Sequence, residues 1–255
     1  RYYYTLLFGD KYRVKIATRN VNIPGIQNFR DLGGYPSYPG KKQMRWGMIY
    51  RSAEIDSLEC YSRRELRNLG IKTLIDLRAS SETGRQSPLQ KEFNVVHIPL
   101  ATGDMENILK GIREEKIKSD TVYRMVEQMN RDLIDKYTTE YRQIFDILLD
   151  KNSYPVVIHC SSGKGRTGIV SALVLAALGI NEDIIMEDYR LSNDYFNIPS
   201  ASKDAYQLPA RSQEAITTLF SAREDFLNAA KEEAERRYGD IDSYLQKGIG
   251  LNKDE

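Results

Sequence analysis

Val156-Val157-Ile158-His159-Cys160-Ser161-Ser162-Gly163-Lys164-Gly165-Arg166-Thr167-Gly168 is the stretch on which the reading of this chain turns. Pro155–Ile158 is a compact apolar run with the character of a buried strand. It delivers Cys160 to a glycine-bearing loop that closes on Arg166, at the start of the apolar helix Arg166–Leu178. A helix N-terminus offers unpaired amide N–H groups and partial positive charge. Gly163 and Gly165 let the loop turn its amides inward as an anion nest. Arg166 adds a planar fork that matches two phosphate oxygens. The same field favours the thiolate of Cys160. These residues describe an oxyanion cradle, Ser161 to Arg166, with a nucleophile at its floor. Such a site suits attack on phosphorus, giving a phosphocysteine that water hydrolyses. Thr167 sits where its hydroxyl could stabilise the departing thiolate.

Other readings of the loop fit less well. A nucleotide-binding P-loop needs a Gly where this chain has Ile158 and a Ser or Thr where it has Gly165. A papain-like pair needs a distant His, but His159 adjoins Cys160 and their side chains diverge on an extended chain. His97, the other histidine, reads as a core or strand-end residue. A sulfur-transfer enzyme of the rhodanese type also uses a Cys-started anion loop, and the Arg-Thr ending with its apolar helix favours phosphate. A buried structural cysteine is the commonest fate of a lone thiol, but it leaves the rest of the loop unexplained.

Outward from the loop, strand and helix signals alternate. Trp46–Ser52 reads as a short strand and its exit, Ile71–Leu77 as an apolar strand, and Asn94–Ile98 as a strand halted by Pro99. Ser62–Leu69 is a short helix stopped by Gly70, and Gly179 ends the helix after the loop. Asn28–Tyr35 reads as a loop with a Gly pair. Between Asp104 and Asp150, Val122, Met125, Val126, Met129, Leu133, Tyr137, Tyr141, Ile144, Phe145 and Leu148 recur at helical steps, one face of a long helix or of two. From Asn181 the chain is mostly helical. Strands separated by helices predict an α/β fold with a mostly parallel central sheet flanked by helices. The opening segment, with a turn at Gly9-Asp10, reads as a β-hairpin over residues 1–19. It is either a pair of edge strands or the remnant of a preceding β domain, the second being favoured.

Composition bounds the function. The 255 residues are 41% hydrophobic and 29% charged, an ordinary globular balance. Lys and Arg number 37 against 36 Asp and Glu, a formal net charge of +1. That excludes a strong global field for nucleic acid or anionic membrane, while allowing a local basic pocket. Ile169–Leu178, the longest apolar run, is broken by Ser171 and too short to span a bilayer. Cys60 and Cys160 supply neither a disulfide framework nor a zinc spacing. The chemistry asks for no metal or other cofactor, since the loop amides, Arg166 and the thiolate do what a metal would.

HCSSGKGRTG, residues 159–168, resembles the Cys-x5-Arg signature of the protein tyrosine phosphatases. NFRDLG at 28–33, YRSAE at 50–54, DLR at 76–78 with Glu82 following, YRQ at 141–143, DYRLSND at 188–194, Tyr238-Gly239 and Tyr244-Leu245 resemble the bacterial tyrosine/lipid phosphatase subtype, of mycobacterial type. The likeness runs over roughly residues 20–250 and implies a phosphatase domain at 20–255 with a tyrosine-phosphatase-like fold. It also implies helical insertions forming a lid over the pocket. The implied substrate is a phosphorylated protein or a phosphoinositide. A lysine at the place of Lys164 accompanies phosphoinositide substrates in the family. The subtype carries Asp where this chain has Gly165, so a share of the acid catalysis or of lipid selectivity is absent here.

The general acid that protonates the leaving group has two candidates. Asp76 closes the strand Ile71–Leu77 and matches the acid proposed for the DLR motif. Asp104 follows Pro99 in a loop, where dual-specificity phosphatases carry theirs. Their alternative roles are an ion pair with Arg78 and a helix N-cap. Asp31 is expected to brace the fold through loop amides. Arg30, Arg51, Arg78 and Lys164 are candidate extra cations around the phosphate; the three arginines are more readily expected in structural ion pairs, and Lys164 inside the cradle. The expected function is phosphomonoester hydrolysis through a phosphocysteine. The alternatives are a phosphate-binding pseudophosphatase, weakened by Gly165, and a structural or sulfur-transfer role. A start without Met and a β-rich opening suggest export to the periplasm or medium. Two free thiols fit the cytoplasm equally well.

Overall fold

The computed structural model describes residues 1–38, 42–56, 58–83 and 88–255. The chain opens with a hairpin of β1, Tyr3–Phe8, and β2, Tyr12–Ala17, whose antiparallel register runs from Tyr3 opposite Ala17 to Phe8 opposite Tyr12. There follow β3, Arg30–Asp31; β4, Pro36–Ser37; β5, Lys42–Gln43; β6, Ile49–Ser52; α1, Cys60–Asn68; β7, Thr73–Asp76; and β8, Asn94–His97. The first helical block holds α2, Met105–Arg113; α3, Ser119–Lys136; and α4, Thr138–Leu149. β9, Val156–His159, leads into α5, Gly165–Ala177. The second block holds α6, Glu182–Arg190; α7, Ser192–Tyr195; α8, Ile198–Ala201; α9, Ala210–Phe220; α10, Glu224–Tyr238; and α11, Ile241–Ser243.

The central sheet has the order β3-β6-β9-β7-β8, with β6, β9, β7 and β8 parallel and β3 antiparallel at one edge. Every residue of β6, β7 and β9 is buried, as expected of a parallel sheet covered on both faces. Val156 and Ile158 face one core with Ile75, Leu77 and the helices α3, α4, α5, α9 and α10. Val157 and Leu74 face a second core with Tyr50, Phe29 and Leu66 of α1. The expected parallel α/β architecture is therefore observed, with one face carrying most of the helices.

Two expectations differ in detail. Asn28–Tyr35 is not loop throughout, because Arg30 and Asp31 pair with Arg51 and Tyr50 as an edge strand. The periodic stretch Asp104–Asp150 forms three helices. The first break is turned by Glu115 at φ +57°, the second by Tyr137 between α3 and α4. Neither break carries the Gly or Pro that marks a helix end in sequence. The hairpin forms its own two-stranded sheet. It is tied to the rest of the chain by Arg1, whose Nη1 donates to Asp31 Oδ2 at 2.6 Å, and by Trp46 Nε1, which donates to Lys15 O at 2.9 Å.

Parallel strands bring their C-terminal ends to one edge, where α/β folds place their sites. β6 and β9 run in register from Ile49 opposite Val156 to Ser52 opposite His159. β7 flanks β9 on the other side, Asp76 opposite His159. Cys160 therefore leaves the middle of the sheet between the exits of β6 and β7.

Candidate active site

Cys160 is 1% exposed at the base of a cleft of about 500 Å3. Ser161, Ser162, Lys164, Gly165 and Arg166 line the same cleft, so one loop supplies its floor. The loop's shape is set from beneath. Asn28 Nδ2 donates to Ser162 O and to Gly163 O, each at 3.1 Å, and Arg51 Nη2 donates to Gly163 O at 2.8 Å. With these carbonyls held on the protein side, the loop amides are free to face the cleft, which makes an anion nest. Gly163 is required here: its φ is +67°, and a Cβ would lie 2.4 Å from the backbone carbon of Ser52. Gly165 is not: a Cβ there meets nothing within 4 Å and its φ lies outside the left-handed region.

Burial alone would push the Cys160 thiol up. The Arg166 guanidinium, the Thr167 hydroxyl and N–H, and the Gly163 N–H outweigh it and hold the thiol below its ordinary range. The Thr167 hydroxyl is buried, faces this sulfur and has no nitrogen or oxygen partner among the described residues. Arg166 is itself locked. Its Nη1 donates to Glu82 Oε2 at 2.5 Å and its Nη2 to Glu82 Oε1 at 2.8 Å, a bidentate pair. Glu82 also accepts from the Ser161 hydroxyl at 2.6 Å. Burial works against both charges, yet the pairing keeps Arg166 above its usual range and takes Glu82 down to about 2.

Lys164 does not reach into the cradle with its ammonium. Its Nζ donates to Leu219 O at 2.6 Å and Ser221 O at 2.9 Å, tying the loop to the end of α9. Burial lowers its pKa to about 7. The two insertions wall the cleft: Val126, Met129 and Leu133 come from α3, and Leu219 and Phe220 from α9.

Arg30 and Arg51 lie below the loop, not around a phosphate. Arg51 Nη1 donates to Asp188 Oδ2 at 2.6 Å, and Arg30 Nη2 donates to Asp188 O at 2.7 Å. Burial would raise the Asp188 carboxyl, and the two arginines hold it below its usual range. Asp31 accepts from Gly33 N and Gly47 N, each at 2.7 Å, which is the bracing role expected of it.

Neither carboxylate singled out as a general acid lines the Cys160 cleft. Asp76 is buried and does not line the cleft. It accepts from Arg78 Nη2 at 2.7 Å and Nε at 3.0 Å, and despite its burial these bonds and His159 hold it below the ordinary carboxylate range. Asp104 caps α2, accepting from Asn107 N at 3.0 Å, and lines a different cleft with Asn107 and Lys136. Both are thus found in the alternative structural roles weighed for them. His159 is buried and pulled down to about 4, chiefly by burial, so it is neutral near pH 7. His97 Nε2 donates to Arg78 O at 2.7 Å.

Sequence reasoning did not assign a role to Glu82 or Asn28. Glu82 was visible only as a residue following Asp76-Leu77-Arg78, and its partner Arg166 is remote in the chain. Asn28 carries a signal in its conformation, φ +56°, which Asn tolerates better than most residues.

A model of the tyrosine phosphatase family matches residues 21–255. The triple specificity protein phosphatase PtpB of Mycobacterium tuberculosis is 29% identical over 267 aligned positions, covering 88% of this chain and 92% of that protein. A Cupriavidus necator protein with a tyrosine-protein phosphatase name is 26% identical over 233 positions, covering 89% of this chain and 83% of its own. A crystal structure of P. aeruginosa TpbA in complex with pTyr aligns over 69% of this chain at 15% identity, with a TM-score of 0.34. The family match spans nearly the whole chain and includes the Cys160 loop, its Asn28 and Arg51 supports and the walls of the cleft: this chain is a phosphatase of the tyrosine phosphatase family.

Proposed function

We propose that the protein hydrolyses phosphomonoesters through a phosphocysteine on Cys160. The observation that carries this reading is the combination at the cleft floor of a thiol held below its ordinary range and a fixed guanidinium fork. The Cys160 sulfur attacks phosphorus, a P–S bond forms, and the bond to the ester oxygen breaks with its electron pair going to that oxygen. Arg166 and the loop amides hold the equatorial oxygens, where negative charge is greatest in the transition state. Water then attacks the phosphocysteine, phosphate is released and the electron pair returns to sulfur as thiolate. The Thr167 hydroxyl, facing the sulfur, stabilises that thiolate. Glu82 acts through Arg166 as a positioning residue.

Phosphotyrosine suits this cleft. The phosphate meets a cationic floor, and the ring meets Val126, Met129, Leu133 and Phe220. The same apolar walls would accept a lipid-borne phosphate. The triple specificity of the mycobacterial relative supports testing phosphoserine, phosphothreonine and phosphoinositides beside phosphotyrosine. The hairpin at residues 1–19 is proposed to lie outside the catalytic unit at 20–255.

The test is a substrate panel, phosphopeptides beside inositol lipids and an activated aryl phosphate, on wild type and Cys160→Ser. Cys160→Ser is expected to keep oxyanion binding and to lose turnover by several orders of magnitude, since a serine alkoxide is far harder to form. Oxyanion binding without turnover in the wild type would establish a pseudophosphatase instead.

A further inference from the structure

Among the described residues, three carboxylates line the Cys160 cleft: Glu54, Glu82 and Glu106. Glu82 is spent on Arg166 and Ser161 and stays ionised far below neutrality. Glu106 comes from the first turn of α2, on the wall that the insertion provides. Glu54 is different in its anchorage. It follows the end of β6, the strand paired with β9, and its N–H donates to Ser161 O at 3.2 Å, so its main chain is bonded to the phosphate loop itself. Its side chain is 62% exposed and lines the cleft, and among the described residues its one ion-pair partner is a distant one. Among the described residues the nearest cation, Arg78 Nη1, is 3.8 Å away. Arg78 is already taken by Asp76 at 2.7 Å and by Asp56 at 2.5 Å.

We infer that Glu54 is the general acid and base of this phosphatase, donating its proton to the leaving oxygen and later taking one from the attacking water. This rests on the phosphocysteine reading above. In the first half-reaction the P–O bond breaks, the oxygen keeps the electron pair, and the carboxylic proton of Glu54 completes the alcohol or phenol. In the second, the Glu54 carboxylate removes a proton from water as its oxygen bonds to phosphorus and the P–S bond breaks. The carboxylic acid and the thiolate are thereby both restored, and the net reaction is ester plus water to alcohol plus phosphate.

The electrostatics around Glu54 suit the first of these steps. Desolvation by the cleft wall comes first. The negative charge of Asp56 follows, with Glu82 and Asp76 adding to it, and together they hold the carboxyl above its ordinary range against the pull of Arg78. An upward shift of this kind is in the direction that acid catalysis favours. Gly165 leaves the phosphate loop without a carboxylate of its own, Asp76 is held by Arg78, and Asp104 caps α2. Glu54 thus fills a role that the loop in this chain leaves open.

The experiment compares wild type, Glu54→Gln and Glu106→Gln over a series of phosphate esters from activated aryl to alkyl, with pH–rate profiles and orthovanadate affinity for each. Glu54→Gln is expected to lower kcat roughly 100-fold on alkyl phosphates and much less on activated aryl phosphates. The fall in rate on the alkaline side of the profile should disappear, and orthovanadate should bind at least as tightly as to wild type. An equal loss across all leaving groups, or an unchanged series, overturns the assignment while wild-type activity leaves the phosphocysteine mechanism standing. The leaving-group dependence appearing in Glu106→Gln instead overturns it in favour of the α2 wall. A wild type with no turnover on any ester overturns the underlying function, and the assignment with it.

Discussion

Gly165 stands where the loop pattern that this chain resembles carries Asp, and the structure leaves room for a side chain there. A side chain at this position would meet no neighbouring atom within 4 Å, and the residue lines the cleft beside Cys160 and Arg166. A carboxylate there would face a dianionic substrate and the Cys160 thiolate, so like charges would oppose binding and favour its protonated form. Gly165→Asp is therefore expected to weaken phosphate inhibition roughly tenfold, about 1.4 kcal/mol, while raising turnover of alkyl phosphates more than that of activated aryl phosphates. A leaving-group series and a phosphate inhibition constant on both proteins check this; identical values would make the glycine functionally silent. At this scale the loop was legible as a cleft floor, because nucleophile, glycines and arginine are contiguous, but the turn of the Lys164 ammonium away from the cradle was not. Which role the acid candidates take was not legible either. Asp76 and Asp104 stand at positions that strand ends and loops make plausible, but the competing partners, Arg78 and the first turn of α2, claim them in three dimensions. The Glu82–Arg166 pair was invisible for the same reason: the two residues meet only because β7 and β9 are neighbours.

The element that makes the site is the turn from β9 into α5. Its geometry depends on Gly163, whose φ of +67° and close approach to Ser52 leave no room for a Cβ. It depends equally on Asn28 and Arg51, which hold the loop carbonyls from below. Gly163→Ala is expected to abolish both turnover and oxyanion binding, whereas Gly165→Ala, at the first residue of α5, keeps both. Calorimetric titration with orthovanadate beside a phosphatase assay separates the two; equal behaviour would show that the loop does not rely on its inverted backbone. Strand and helix identities around this turn were readable from apolar runs and from the helix stops at Gly70 and Gly179. The subdivision of residues 104–150 was not, since Glu115 adopts a left-handed conformation that its residue type does not announce. The two-residue strand β3 was also hidden, being too short to show any alternation.

Across the whole molecule, the parallel sheet collects the exits of β6, β7 and β9 at one edge, and α2, α3, α8 and α9 build walls above it. That architecture followed from the strand-helix alternation, while the attachment of the hairpin through Arg1 and Trp46 did not, because it rests on single long-range bonds. Burial at the centre of this sheet also sets an acid limit. His159 has a folded pKa near 4 against about 6.5 when unfolded. Between these values the unfolded chain binds the proton and the folded one does not, so stability is full above about 6.5 and declines as pH falls towards 4. The thermal midpoint should drop through that window, and His159→Gln should flatten the drop; an equally steep fall in the variant would assign it to other groups. Below it, Asp76, Asp188 and Glu82, all held under their ordinary ranges by cations, lose their contributions as they protonate.

The central claim is that the reaction passes through a covalent bond between phosphorus and the Cys160 sulfur. Mixing wild-type protein with an activated aryl phosphate, quenching in acid within the first turnover and mapping the peptides by mass spectrometry tests this directly. The account predicts one added phosphoryl group on the peptide that carries Cys160, and none in Cys160→Ser treated in the same way. Turnover that proceeds with Cys160 unmodified throughout, or that survives in Cys160→Ser, would contradict it.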